Sequence, residues 1–216
     1  MQDEGSRLLV VAHGTASAAG SATTARLIEA VSAARPHVRV DLCFLDVVAP
    51  RLPDALDERP TVLVPLLLST GYHVQTDIPA AVAAHPATRV GRHLGPDDLL
   101  VDVLADRLGP VPAGARVVLV GAGSTRAGAR AELDETARRL AARLGRDVAV
   151  LTMGDDLPAG LSARAPVAVA VATYLLAEGQ FVDTLRAAAP GTVAPPLGVH
   201  PALVELVWRR YDDALR

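Results

Sequence analysis

The chain states one architectural programme twice, and that duplication limits what it can fold into more than any single motif. Arg7-LLVVAHGT is matched by Arg116-VVLVGAGS, and Val38-RVDLCFLD by Asp147-VAVLTMGD, each of the latter ending in an acid. The apolar run from Thr61 through Leu68 and Gly71 is matched by Val167-AVAVATYLLAEGQF, which aligns Gly179 with Gly71. Leu94-Gly95 and the helix after it are matched by Leu197-Gly198 and the apolar positions Leu203, Leu206 and Val207. Repeats of this length are structural units in their own right. The proline- and glycine-rich GPVPAG at residues 109–114 reads as the join, giving domains 1–111 and 112–216.

Within the first repeat, apolar runs of strand length at Arg7–Ala12, Val38–Leu45 and Thr61–Leu68 alternate with helical spacing over Thr23–Ala34, Asp77–Ala84 and Leu99–Leu108. A short edge strand is expected near Thr88–Arg92. The residue before Pro79 should avoid the helical region and so limit where the helix after His73 begins. In the second repeat Ala131–Leu144 has the helical period. This alternation with short connections predicts βαβ units on mostly parallel sheets, an α/β chain of two related domains. Half of the residues are hydrophobic, enough to fill two cores.

Composition removes several functions. The net charge of −3 leaves no basic footprint for nucleic acid, and no apolar run is long enough to span a bilayer. The leading MQDEGSR has neither a basic nor an apolar signal region, so a cytoplasmic protein is expected. All 21 basic residues are arginine, which excludes a phosphate-loop lysine and a Schiff-base lysine. Cys43 is the one cysteine, placed in an apolar run as a small buried hydrophobe. Two fused copies supply a two-sided cleft without a partner, so a monomer is expected.

The two copies differ where chemistry would sit. His13 follows the first strand, and its counterpart is Ala122; His73 follows the third, and its counterpart is Phe181. The shared glycines and apolar strands answer to architecture, whereas two imidazoles present in one copy are not needed to build the fold. Asp46 ends the second strand, although Asp155 at the end of its counterpart keeps a turn-capping reading open. In open parallel sheets, ligands bind beyond the carboxyl ends of the strands, and neighbouring strands lie about 5 Å apart. His13, Asp46 and His73 can therefore converge on a first-row divalent ion, with positions left for substrate.

These motifs resemble the class II tetrapyrrole chelatases of the sirohydrochlorin cobaltochelatase and ferrochelatase type. The resemblance is carried by AHGT (Ala12–Thr15), FLD (Phe44–Asp46) with Pro50, PLLLSTGYH through DIP (Pro65–Pro79) and Leu94-Gly95, and it extends over the long, two-repeat form. It implies two chelatase-like α/β domains around a cleft that binds a sirohydrochlorin-type macrocycle. It also implies insertion of Co²⁺ or Fe²⁺, with Ni²⁺ a further candidate, as a substrate and without an organic cofactor. His13 and His73 match the family's metal-binding histidines, and Asp46 a position usually held by glutamate, one methylene longer. The first motif continues Thr15-Ala16-Ser17 where the family commonly has Ser-Arg. Sirohydrochlorin is rich in carboxylates, which suggests Arg89, Arg92 and Arg126 at the rim, with Thr15, Ser69 and Thr70 near the ring. Protonated imidazoles bind metal poorly, so activity should fall in acid.

Two rivals use the same residues differently. VVLVGAGSTRAG is a strand entering a glycine-rich turn, but a dinucleotide fingerprint needs a third glycine where Arg126 stands. A non-catalytic metal or tetrapyrrole carrier could use the same cleft, and it would bind stoichiometrically instead of turning over. Of the other histidines, His37, His85 and His200 adjoin prolines at expected surface positions, while His93 could approach the cleft.

Overall fold

The computed structural model describes residues 5–126, 128–162 and 168–216. The first four residues of the leading segment and Val167, where one repeat match begins, lie outside them.

Two four-stranded sheets, parallel throughout, form one from each repeat. The first has the order β2-β1-β3-β4, with β1 Arg7–Ala12, β2 Val40–Phe44, β3 Thr61–Pro65 and β4 Thr88–Val90. The second, β6-β5-β7-β8, uses β5 Arg116–Gly121, β6 Val148–Thr152, β7 Val169–Tyr174 and β8 Thr192–Val193. The central strands of both sheets are buried on both faces, which explains their unbroken apolar sequences. Alternate residues serve different layers. Leu8, Val10 and Ala12 join a core shared by the two halves, and Leu9 and Val11 pack outward under α2 (Leu52–Ala55) and α3 (Ile78–Val82). In the second half Leu119 faces the shared core, and Val118 and Val120 pack against α6 (Leu157–Ser162) and α7 (Gln180–Ala188).

The first long helix, α1, spans Ala18–Ala34 and begins earlier than its apolar period predicts. Ser17 caps it by accepting from the Gly20 N–H at 3.3 Å, and its first turn is built from small residues that carry no hydrophobic signal. Its counterpart α5 spans Ala129–Leu144.

The last helix of each repeat crosses to the other half. Helix α8 (Pro201–Leu215) lies on α1 and β3 of the first repeat, and α4 (Asp98–Leu108) lies on α5 and β7 of the second. Trp208 donates its indole N–H to the Val31 carbonyl at 3.0 Å, and Arg35 forks onto Asp212 at 2.6 and 2.7 Å while covering the Trp208 ring. Buried Arg210 donates to the carbonyls of His93 and Leu94 and to Asp97, whose other oxygen caps α4 through Leu99 N–H. Arg139 and Arg143 of α5 reach Asp98 and Asp102 of α4. The exchange merges the apolar faces into one core, so neither repeat completes its own layer.

Register corrects one repeat match. Leu45 N–H bonds Ala12 O in the first half, and Met153 N–H bonds Gly121 O in the second. Asp46 is thus equivalent to Gly154, and Asp155 stands one residue further on. Its carboxylate turns back to accept from the Thr152 N–H and hydroxyl at 2.7 and 3.0 Å, the role of a turn acid.

Candidate active site

His13 and His73 meet edge to face at the carboxyl ends of β1 and β3, their ring centroids 4.9 Å apart and their planes at 76°. Strands β1 and β3 are hydrogen-bonded neighbours, so the two loops leave the sheet side by side. Gly14 takes φ of 96°, and a side chain there would collide with the Asp46 carbonyl. Glycine lets the turn after β1 press against the end of β2 and present the His13 ring.

His73 opens a π-helical turn, His73–Asp77, that runs directly into α3. The expectation that Ile78 would avoid helical geometry fails, since its φ and ψ are −64° and −51°. Its N–H reaches the His73 carbonyl five residues back. The wider turn gives the Pro79 ring room that an α-turn would deny it. The result sets Asp77 beside the imidazole, with His73 Nδ1 2.6 Å from Asp77 Oδ2.

The tautomers follow from the acceptors. His13 Nδ1 lies 3.1 Å from the Gly14 carbonyl, which can only accept, and His73 Nδ1 faces a carboxylate. Each neutral ring therefore carries its proton on Nδ1 and keeps the Nε2 lone pair free. Imidazoles whose second nitrogen is fixed by a backbone carbonyl or a carboxylate are the usual donors to metal ions.

Asp46 is adjacent but otherwise engaged. Its N–H bonds the His13 carbonyl at 2.8 Å, while Oδ1 accepts from the Val47 N–H at 2.8 Å and from Arg51 at 2.9 Å. These two donors hold its carboxyl below the usual carboxylate range. Among the described residues, no three His, Cys, Asp or Glu side chains are grouped to hold a metal by themselves. The pair offers two nitrogen donors and leaves the remaining coordination positions to other ligands.

A cavity of about 760 Å³ opens next to His13 between the two halves. The first repeat supplies Thr15, Phe44, Val47 and Leu66–Ser69, and the second supplies Gly121–Ser124, Leu133 and Tyr174–Phe181. Most of this wall is apolar or small, as suits a flat ring with polar groups only at its edge. Val47, half exposed, takes φ of 69°, a strained conformation for a β-branched residue. Phe181, at the position His73 holds in the first repeat, is also half exposed. Of the arginines, Arg130 lines the cavity, whereas Arg126 is outside its wall and lies over the Tyr72 ring at 4.9 Å, beside His73.

The other sequence candidates divide. Thr15 and Ser69 line the cavity. Thr70 is outside the cavity wall, and its N–H and hydroxyl are both taken by Glu132 at 2.6 and 2.8 Å. Arg89 is set elsewhere as well: it stands on edge strand β4 and donates to the Leu215 carbonyl at 3.0 Å, tying down the end of α8. Arg92 is exposed and outside the cavity wall. His93 is buried under Glu132, and His200 caps α8 through the Ala202 N–H. Sequence reasoning missed Asp77, Glu132 and the apolar role of Phe181. Only the four-residue spacing of His73 and Asp77 was there to find.

Residues 7–111 match the CbiX family model. The fold is that of SirB from Bacillus subtilis with Fe³⁺, at 21% identity and a TM-score of 0.77, covering 97% of this chain and 95% of that one. The sirohydrochlorin chelatase SirB from Bacillus subtilis subspecies spizizenii in complex with cobalt gives 23%, 0.77 and the same coverage. CbiX, described as the terminal enzyme for biosynthesis of sirohaem in denitrifying bacteria, gives 22%, 0.71, 97% and 100%. Comparison with curated protein sequences finds no match. The family match covers the first repeat, from β1 into residues 109–114, and the motifs that resemble the class II tetrapyrrole chelatases lie within it.

Proposed function

We propose that the protein is a sirohydrochlorin chelatase: it binds the macrocycle in the cleft between residues 1–111 and 112–216 and inserts a divalent ion, Co²⁺ or Fe²⁺. The observation that carries this reading is the His13–His73 pair, 4.9 Å apart beside a largely apolar cavity, each ring with its Nδ1 proton committed. The similar solved structure described as a sirohydrochlorin chelatase in complex with cobalt, and the SirB structure with Fe³⁺, support the choice of substrate and metal.

Insertion exchanges two pyrrole protons for one M²⁺ ion and strips the ion of its water. Both tasks call for a neutral imidazole lone pair, to hold the metal as it sheds water or to accept a pyrrole proton. Asp77 orients His73 and stabilises any positive charge it acquires. Asp46, ionised and beside His13, acts on the same site through its charge or through a bridging water. The apolar wall holds the ring faces, and Arg126 and Arg130 meet the peripheral carboxylates, with Thr15 and Ser69 contributing hydrogen bonds. On this reading the protein works as a cytoplasmic monomer without nucleic acid or membrane. Among the described residues, no helix is long and apolar enough to cross a bilayer.

The test is the visible spectrum of sirohydrochlorin mixed with catalytic amounts of protein and Co²⁺ or Fe²⁺. Conversion over many turnovers is expected, with His13→Ala and His73→Ala each losing at least about a hundredfold in rate. Stoichiometric binding without conversion would identify a carrier, and full activity in both variants would refute the assigned roles.

A further inference from the structure

We propose that Glu132, carried by the second repeat, is a positioning residue for the histidine pair: its carboxylate holds the loop that delivers His73. In turnover the inference rests on the chelatase reading, but its structural part does not.

Thr70 lies three residues before His73. One oxygen of Glu132 accepts its backbone N–H at 2.6 Å, and the other accepts its hydroxyl at 2.8 Å. A carboxylate bonded to both the main chain and the side chain of one residue fixes the position and the rotation of that segment. Glu132 is itself held from below, because Nε2 of buried His93 stands 3.2 Å from Oε1, and a carboxylate can only accept. The start of the loop is pinned from the same side. The Leu68 carbonyl accepts from the Tyr174 hydroxyl at 3.0 Å, a contact possible because Gly95 has no side chain to block it. The second repeat thus grips residues 68–70 at both ends, and the π-helical turn beyond them carries His73.

The device is one-sided. At the position of Glu132 the first repeat has Thr23, whose hydroxyl donates to Ala19 O within its own helix and cannot reach the opposing loop. The loop there is met by the bare backbone of Gly20 instead. The grip exists only on the side that bears the histidines. Glu132 lines no part of the cavity, so a direct part in ring binding does not explain it.

The experiment compares wild-type protein with Glu132→Ala, Glu132→Gln and Thr70→Val. Amide hydrogen exchange is read over residues 66–77, and Co²⁺ affinity by titration of the metal alone. Glu132→Ala is expected to lose exchange protection in this segment, to weaken Co²⁺ binding by about tenfold or more, and to lower kcat with little change in KM for the macrocycle. Glu132→Gln, which keeps an acceptor for the Thr70 N–H, should recover much of the loss. Thr70→Val, which loses only the hydroxyl bond, should fall between. Unchanged exchange over residues 66–77 in folded Glu132→Ala, or in Thr70→Val if the alanine variant does not fold, overturns the proposal. So does wild-type Co²⁺ affinity in Glu132→Ala where His73→Ala weakens it. Should the wild-type protein fail to convert sirohydrochlorin while the exchange result holds, the chelatase reading fails and the positioning role stands.

Discussion

Asp77 Oδ2 lies 2.6 Å from His73 Nδ1, one turn further along the same π-helical segment, and so decides which nitrogen of that ring stays free. Asp77→Asn keeps the shape but removes the charge that favours the Nδ1-protonated tautomer. We expect Co²⁺ affinity and turnover to fall together by about 10- to 100-fold, read by metal titration and by steady-state rate on the same preparation.

Asp46 should matter less. Its Oδ1 is occupied by the Val47 N–H and Arg51, so Asp46→Asn changes the local charge without removing a donor from the imidazole pair. A loss of Co²⁺ affinity at least several-fold smaller than that of His13→Ala is expected. A loss equal to the histidine variant would show that the carboxylate ligates directly.

Phe181 presents an aromatic face where the first repeat has its second histidine. If the macrocycle covers it, truncation removes apolar contact worth about 1–2 kcal/mol. Phe181→Ala should then raise KM for sirohydrochlorin by about 5- to 30-fold while leaving Co²⁺ binding unchanged, a split that steady-state kinetics and metal titration resolve.

The exchanged helices make stability a joint property of the halves. Trp208 is 3% exposed, and its indole holds α8 to α1. Trp208→Ala should cost about 3–5 kcal/mol. Urea unfolding should show a lower midpoint in one cooperative transition. Two transitions, with only the first half weakened, would mean that the halves fold apart.

His93 ties stability to pH. Burial, only partly offset by Glu132, holds its imidazole below the ordinary histidine range. Below the unfolded value, about 6.5, the unfolded chain binds a proton that the folded one resists, so stability falls with falling pH until the folded group also titrates. Thermal midpoints measured between pH 7.5 and 5.5 should drop more steeply for wild type than for His93→Gln. Equal slopes would remove His93 from the account.

Strand and turn assignments were legible because each repeat writes its central strands as unbroken apolar runs closed by glycine, a pattern set by local sterics and burial. Helix α1 starts before its apolar period because Ala18 to Ser21 carry none, and Gly20 there answers to the Glu178 backbone across the interface. Arg89 and Thr70 looked like substrate contacts by position. Their partners, the Leu215 carbonyl and Glu132, are over 60 residues away in the chain.

The sequence alone determined the duplicated α/β plan and the restriction of the imidazole pair to one copy, since both are patterns of residue type along a single strand and its turn. Tertiary structure decided the helix exchange, the slip that separates Asp46 from Asp155, and the capture of the His73 loop by Glu132. Each of these depends on which surfaces meet once the two sheets pack, and distances between packed surfaces are not written in local spacing.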